Sequence, residues 1–269
     1  MNAIGNSGRM PALFIGHGSP MNIVADNSYT RSLQKLGQEL PRPEAVMVIS
    51  AHWLTGGTYV TCTQHPRTIH DFYGFPQELY RMRYPSPGSP EKAKAVAALL
   101  GQEERACDYD WGLDHASWAV LKHMYPQADI PVFEMSLDYS FNEWRPKPVS
   151  YHYELGQKLR TLREQGVLII GSGNMVHNLR VIDFDTDAQP FDWAASNDAK
   201  LKARLIEGNH KALVNYESIG KEADLAVPTL DHYLPMIYIL ALQDRDEPLT
   251  FTYEGMQNAS VSMRGFRIG

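Results

Sequence analysis

The chain has 269 residues, 43% of them hydrophobic, and carries a formal net charge of −6. A chain of this length can bury a large core, whether as one α/β domain or as two smaller units. Its acidic balance gives no electrostatic reason to bind nucleic acid or an anionic membrane surface. These values favour a globular protein whose partner is a small molecule.

Two cysteines, Cys62 and Cys107, lie far apart in the sequence and outside any CxxC arrangement. This pattern indicates neither a disulfide framework nor a thiolate zinc site, and it suits a reducing cytoplasm. The N-terminal sequence MNAIGNSGRM lacks the apolar stretch of a signal peptide, and the apolar run over residues 236–242 is too short to span a bilayer. We therefore expect a cytoplasmic protein.

Hydrophobic patterns and turn residues predict the secondary structure in chain order. The predicted strands cover residues 11–16, 45–50, 59–63, 130–137, 167–173, 249–253 and 259–267. The predicted helices cover residues 29–39, a segment that starts at residue 90, 117–124, 151–162, 193–206 and 234–242. The proline-rich residues 66–90 read as an extended segment with many turns.

Strands that alternate with helices favour a mostly parallel sheet covered on both faces, and the β-rich end of the chain adds antiparallel strands. We therefore predict an α/β fold, a single three-layer α/β/α domain over residues 1–269 with a mostly parallel, mixed central sheet. Ligands of such sheets gather beyond the carboxyl ends of the strands. The pattern places His17, His52 and His177 there.

His17 and His52 each follow a predicted buried strand. His17 lies in GHGSP, where Gly16 and Gly18 let the backbone approach a ligand closely, and His52 lies in SAHW. An isolated histidine is better explained as a turn residue satisfied by the backbone, but a position directly after a buried strand favours a ligand. Two of them, each after a buried strand, favour a metal site more than either does alone.

His177 and His232 allow more than one interpretation. His177, in GSGNMVHN, suits a third ligand, a general base or a position at a helix N-terminus. The preceding GSG does not complete a dinucleotide fingerprint, because position 176 is valine. His232 lies between two prolines in PTLDHYLP, and the adjacent Asp231 offers a carboxylate or caps the next helix. The remaining histidines without such a context are interpreted as structural or surface residues: His65, His70, His123, His152 and His210.

Six segments in order, GHGSP, SAHW, DFYGFP, GLDHASW, GSGNMVHN and PTLDHYLP, resemble the class III extradiol ring-cleavage dioxygenases, specifically the DOPA 4,5-dioxygenase-like branch. The wider family holds one non-haem iron(II) with two histidines and a glutamate, and the histidines correspond to His17 and His52. In the DOPA-type branch a histidine replaces the glutamate, so the resemblance implies His232 as the third metal ligand here. The adjacent Asp231 is the alternative third ligand. The resemblance assigns catalytic roles to His177 and His115, and none to DFYGFP.

The resemblance implies one mononuclear divalent metal ion per chain, with Fe(II) expected for turnover and Zn(II) as another ion the site would accept. The implied partners are a catechol such as DOPA and dioxygen, with no nucleic acid and no membrane, and we expect a monomer. His177 is the expected base, and His115 is expected to orient a substrate oxygen or to handle a later proton. Two alternatives remain: a zinc-dependent hydrolase, and a non-catalytic metal- or catechol-binding protein.

Overall fold

The computed structural model describes residues 8–140 and 145–269. The strands are β1 (Ala12–Gly16), β2 (Ala45–Thr55), β3 (Val60–Thr61), β4 (Cys107–Asp108), β5 (Val132–Ser140), β6 (Arg145–Pro146), β7 (Val167–Gly173), β8 (Leu249–Tyr253), β9 (Met256–Gln257), β10 (Val261–Ser262) and β11 (Gly265–Ile268). The α-helices are α1 (Ser28–Glu39), α2 (Gln77–Arg81), α3 (Pro90–Leu99), α4 (His115–Met124), α5 (Val149–Lys158), α6 (Asp192–Ile206), α7 (His210–Val214), α8 (Ala223–Ala226) and α9 (Leu234–Ala241).

One large mixed sheet has the strand order β4-β3-β5-β2-β7-β1-β11-β8, with β6 paired to β5. Its four central strands, β5, β2, β7 and β1, run parallel to one another. The C-terminal strands β11 and β8 are antiparallel additions beside β1. The predicted α/β class with a mostly parallel, mixed sheet is thus confirmed, and the carboxyl ends of the central strands lie along one edge.

Helices cover both faces of the sheet because successive strand residues point to opposite sides. In β1, Ala12 and Phe14 belong to the hydrophobic cluster that includes residues of α3, α5, α6 and α9, whereas Leu13 and Ile15 belong to the cluster that includes residues of α1, α2 and α4. All these strand side chains are buried. This two-sided burial explains the nearly continuous apolar runs from which the strands were predicted.

Local signals fix several helix ends. Asn27 and Thr30 form a capping box before α1, in which each side chain accepts a hydrogen bond from the other's backbone N–H. Pro90 opens α3 and Pro235 lies in the first turn of α9, where proline costs no hydrogen bond. Residues 66–90, predicted as an extended segment with many turns, also contain the short helix α2, which the sequence did not predict.

Strand β2 continues beyond the predicted residue 50 and includes His52, which was expected to follow the strand. Between the pairs Ile49↔Met135 and Leu54↔Leu137, β2 advances five residues while β5 advances two. The three extra residues (5 − 2) form an irregularity that bends the strand and redirects its side chains. His52 lies in this irregularity, and the Ser50 hydroxyl accepts its backbone N–H at 3.0 Å.

The expectation that Cys62 and Cys107 are unlinked is wrong, because the structure joins them in a disulfide. Strands β3 and β4 pair in parallel with Val60 opposite Cys107, which brings Cys62, the residue after β3, close to Cys107. Sequence distance did not predict this pairing between short edge strands. Separately, among the described residues no helix is long and apolar enough to cross a membrane.

Candidate active site

His17 and His52 meet at the carboxyl edge of the central strands. The Nε2 atoms of the two rings are 3.2 Å apart. His17 follows β1 directly, and its backbone N–H donates to the Gly173 carbonyl of the neighbouring β7 at 3.2 Å. A Cβ on Gly16 would lie 2.8 Å from the Ser262 carbonyl oxygen, so glycine there allows β10 to pack against the start of this loop.

Hydrogen bonds on the far side of each ring fix the tautomers. The Ser172 hydroxyl donates its hydrogen to the Ala116 carbonyl at 2.6 Å, so it must accept from His17 Nδ1, 3.1 Å away. The Nδ1 of His52 lies 3.2 Å from Asp71 Oδ2, and a carboxylate favours a proton on that nitrogen. Both Nε2 atoms are therefore left with lone pairs that face each other.

His115, the first residue of α4, joins this pair. Its Nδ1 donates to Asp71 Oδ2 at 2.8 Å, and its backbone N–H donates to Asp71 Oδ1 at 2.9 Å. Its ring centroid is 4.2 Å from that of His52 and 5.4 Å from that of His17. The three histidines offer nitrogen atoms that all lie within 4.8 Å of one another.

His232 and His177 complete the cluster from the other side. The ring centroid of His232 is 5.2 Å from that of His17 and 5.0 Å from that of His52. Its Nδ1 donates to Asp231 Oδ2 at 2.5 Å, which again leaves Nε2 as the acceptor. Asp231 therefore holds the imidazole, and it makes no side-chain cap bond to α9. The ring of His177 stacks on that of His232 with centroids 3.6 Å apart and planes 8° apart.

Glycines in β7 allow His232 to come so close. A Cβ on Gly173 would lie 2.2 Å from the His232 carbonyl oxygen, and one on Gly171 would lie 2.4 Å from that of Pro235. The next backbone N–H, of Asn174, donates to the same His232 carbonyl at 2.9 Å. Both glycines belong to β7, and their role is to admit another backbone.

The electrostatics keep several rings neutral. Burial, assisted by neighbouring histidines, holds the pKa of His17 and of His52 well below the ordinary value. Burial likewise lowers the pKa of His177, as does His232, although Asp231 opposes the shift. Burial by itself would raise the pKa of Asp71 and of Asp231, but hydrogen bonds from His115 and His232 hold both below the usual range. Neutral imidazoles beside ionised carboxylates are the protonation state in which histidine binds a metal.

The donor set fits a divalent transition-metal ion. Two nitrogen lone pairs at 3.2 Å with no proton between them are unsatisfied, and a cation between them removes the repulsion. Two nitrogen ligands of a tetrahedral ion with bonds of about 2.0–2.1 Å lie about 3.3 Å apart. The carboxylate or hydroxyl behind each ring is the usual outer partner of a metal-binding histidine.

The structure thus brings together all five histidines selected from the sequence: His17, His52, His115, His177 and His232. Its tightest triad has His115 beside His17 and His52, whereas the resemblance implies His232 as third ligand. The other histidines bond elsewhere; for example, His123 contacts the Asn22 carbonyl and His152 contacts the Tyr238 hydroxyl.

Sequence reasoning missed two supporting residues, Ser172 and Asp71. Ser172 is completely buried in the otherwise apolar strand β7, and a lone hydroxyl in such a run is a usable signal. Asp71 was noted only as part of DFYGFP, with no role. Nothing in its local sequence indicates that its loop reaches two histidines from other elements.

The chain belongs to an enzyme family whose chemistry suits this site. Residues 11–263 match the model of the catalytic LigB subunit of aromatic ring-opening dioxygenase. The protein is therefore a member of this family and an extradiol dioxygenase, an enzyme that opens the ring of a catechol with dioxygen.

The more specific comparisons are with named relatives. A protein of Escherichia coli (strain K12) named 4,5-DOPA dioxygenase extradiol is 48% identical over 268 residues, which cover 98% of this chain and 96% of the relative. A protein of the same name from Beta vulgaris is 37% identical over 229 residues and 83% of each chain. A crystal structure of an uncharacterized Escherichia coli K12 protein superposes with a TM-score of 0.83 at 44% identity, covering 97% of this chain and 100% of that one.

Proposed function

We propose that the chain, as a single catalytic domain over residues 1–269, cleaves a catechol such as DOPA at the 4,5 bond with one Fe(II) ion held by His17, His52 and His232. The observation that carries the proposal is the convergence of imidazole rings whose Nδ1 atoms face a hydroxyl or a carboxylate and whose Nε2 atoms are left as acceptors. The names of the relatives support DOPA as the substrate.

Three protein ligands leave room on the ion for a catechol that chelates through two oxygens. Such an ion, when bound, supplies Lewis acidity toward those oxygens and the redox chemistry that activates dioxygen. Both atoms of dioxygen enter the product, so the ring opening consumes no external reductant. For DOPA the product is a muconic semialdehyde, which can cyclise to betalamic acid.

His177 is the proposed base that takes a catechol proton. Its ring is held against His232 by stacking, yet among the described residues neither of its ring nitrogens has a hydrogen-bond partner. Burial lowers the pKa of this imidazole, so the ring is neutral at neutral pH and one of its nitrogens carries a free lone pair. Because His177 lies next to the proposed metal ligands and its ring nitrogens are free of hydrogen bonds to the described residues, it is able to reach a substrate hydroxyl.

His115 is the proposed partner of a substrate oxygen. Asp71 accepts its Nδ1 proton, so its Nε2 is an acceptor that orients a substrate hydroxyl and handles a later proton. His115 is also close enough to His17 and His52 to act as a ligand. The assignment of His232 rather than His115 as third ligand follows the family resemblance, and it is tested below.

The test is anaerobic reconstitution of metal-free protein with Fe(II), followed by DOPA and then oxygen. We expect oxygen uptake equal to the DOPA consumed and the appearance of a yellow ring-opened product. Zinc-loaded protein is the matched control and should take up no oxygen, because zinc does not change oxidation state. No oxygen uptake with Fe(II) and a panel of catechols would refute the proposal.

The compartment and the oligomeric state are separate proposals. We propose that the protein acts in the cytoplasm as a monomer. In a reducing compartment the Cys62–Cys107 disulfide would be present as two thiols. Alkylation of the protein in intact cells, followed by mass spectrometry, measures the thiol fraction, and light scattering of the purified protein measures the mass in solution.

A further inference from the structure

Asp71 reaches the histidine cluster from outside the sheet, on the loop between β3 and α2. Its loop is fixed by backbone pairing: Ile69 N–H donates to the Leu113 carbonyl at 2.7 Å, and the indole of Trp118 donates to the Ile69 carbonyl at 2.8 Å. Both partners belong to α4 or to the residues just before it. The Asp71 carboxylate is therefore held in register with His115.

One oxygen of the Asp71 carboxylate faces the Nδ1 atoms of two imidazole rings. Asp71 Oδ2 lies 2.8 Å from Nδ1 of His115 and 3.2 Å from Nδ1 of His52, while Oδ1 accepts the backbone N–H of His115 at 2.9 Å. Asp71 thus faces three N–H groups. Among the described residues, each of the other two histidine supports, Ser172 and Asp231, hydrogen-bonds to a single imidazole.

We propose that Asp71 is a positioning residue that sets the tautomer of His52 and of His115 together, so that one side chain controls metal affinity and the proton chemistry of the site. The part that concerns metal affinity rests only on the geometry of the ring nitrogens. The part that concerns proton chemistry rests on the proposed function of His115.

Asparagine in this place cannot satisfy all three donors. If its amide oxygen faces the two rings, its NH₂ group opposes the His115 backbone N–H. If the amide is turned around, the NH₂ group faces both Nδ1 atoms and favours tautomers that carry the proton on Nε2. A protonated Nε2 is unable to bind a metal, so the second orientation weakens the site directly. The first orientation loses the hydrogen bond from the His115 backbone N–H that holds the side chain in place.

The experiment compares wild type with Asp71→Asn, and with Asp110→Asn as a matched control that makes the same chemical change at an exposed aspartate. Zinc affinity is measured by competition with a chelator. We expect Asp71→Asn to bind zinc about 10- to 100-fold more weakly, the usual cost of losing an outer partner of a ligand. Asp110→Asn should match wild type, and a zinc affinity of Asp71→Asn within twofold of wild type would overturn the proposal.

A second measurement needs no variant. The ¹⁵N chemical shifts of histidine rings in the metal-free wild type distinguish a protonated ring nitrogen from an unprotonated one. We expect His52 and His115 to carry the proton on Nδ1, and a proton on Nε2 of either ring overturns the proposal even if Asp71→Asn fails to fold. Neither measurement uses ring cleavage, so the inference on metal affinity can succeed where the proposed reaction fails.

Discussion

His232→Ala should weaken zinc binding about 100- to 1,000-fold if His232 is the third ligand. The free energy of zinc binding at sites with four protein ligands is about 10–16 kcal/mol, so each ligand contributes about 2.5–4 kcal/mol. Each 1.4 kcal/mol changes the dissociation constant about tenfold. His232 is 6% exposed, and its Nδ1 is committed to Asp231, so only its Nε2 is available to an ion. The Asn174–His232 backbone bond does not depend on the imidazole.

The matching variant is His115→Ala, because His115 lies in the tighter triad with His17 and His52. If His115 acts on the substrate, its loss should change zinc affinity less than tenfold. His65→Ala removes an imidazole from an exposed position and controls for the change in composition. Zinc competition titrations at neutral pH measure all three variants, with circular dichroism as the check on folding. The opposite order, with a large loss in His115→Ala and a small one in His232→Ala, would refute our assignment.

Three further predictions concern other parts of the molecule. His177→Ala should keep its metal and lose about 10²- to 10⁴-fold in kcat, and metal loss measured by elemental analysis would instead make His177 a ligand. Burial lowers the pKa of His152 to about 4, below the unfolded value of about 6.5, so the unfolded chain binds more protons between these values and stability falls as the pH drops through them. Between pH 7 and pH 5, the free energy of unfolding measured with urea should fall by about 2 kcal/mol more for wild type than for His152→Gln. Equal decreases in the two proteins would contradict the lowered pKa of His152. The Cys62–Cys107 disulfide closes a loop with a sequence separation of 45 residues, which corresponds to about 4 kcal/mol of stabilisation. Cys62→Ser should therefore unfold at a lower urea concentration than the oxidised wild type. It should unfold at nearly the same urea concentration as the reduced wild type.

The sequence predicted the central strands well because burial on two faces leaves a direct mark on composition. The predicted strand over residues 167–173 has the observed bounds, and that over residues 11–16 differs by one residue. The carboxyl ends of parallel strands share one edge, so the sequence alone predicts that His17 and His177 lie near each other. The outer strands were harder, since two-residue strands such as β4 carry almost no pattern.

The parts of the site that escaped prediction depend on pairings between distant segments. The irregularity that holds His52 arises where β2 and β5 fall out of register, and neither segment alone encodes it. Asp71 reaches His115 only because its loop pairs with the residues before α4. The disulfide likewise follows from the parallel pairing of β3 and β4. Such contacts are set by tertiary packing, so a local pattern cannot reveal them.

The nitrogens that converge on the proposed ion come from opposite ends of the sequence, with His17 just after the first strand and His232 just before the last helix. An unfolded chain does not hold these groups together, so an ion that needs all of them binds the native state and hardly at all the unfolded one. Binding of that kind raises the free energy of unfolding by RT ln(1 + [metal]/Kd), which is about 2.7 kcal/mol when the free metal concentration is 100 times Kd. The supply of metal in the surroundings would therefore govern the lifetime of the folded protein as well as its activity.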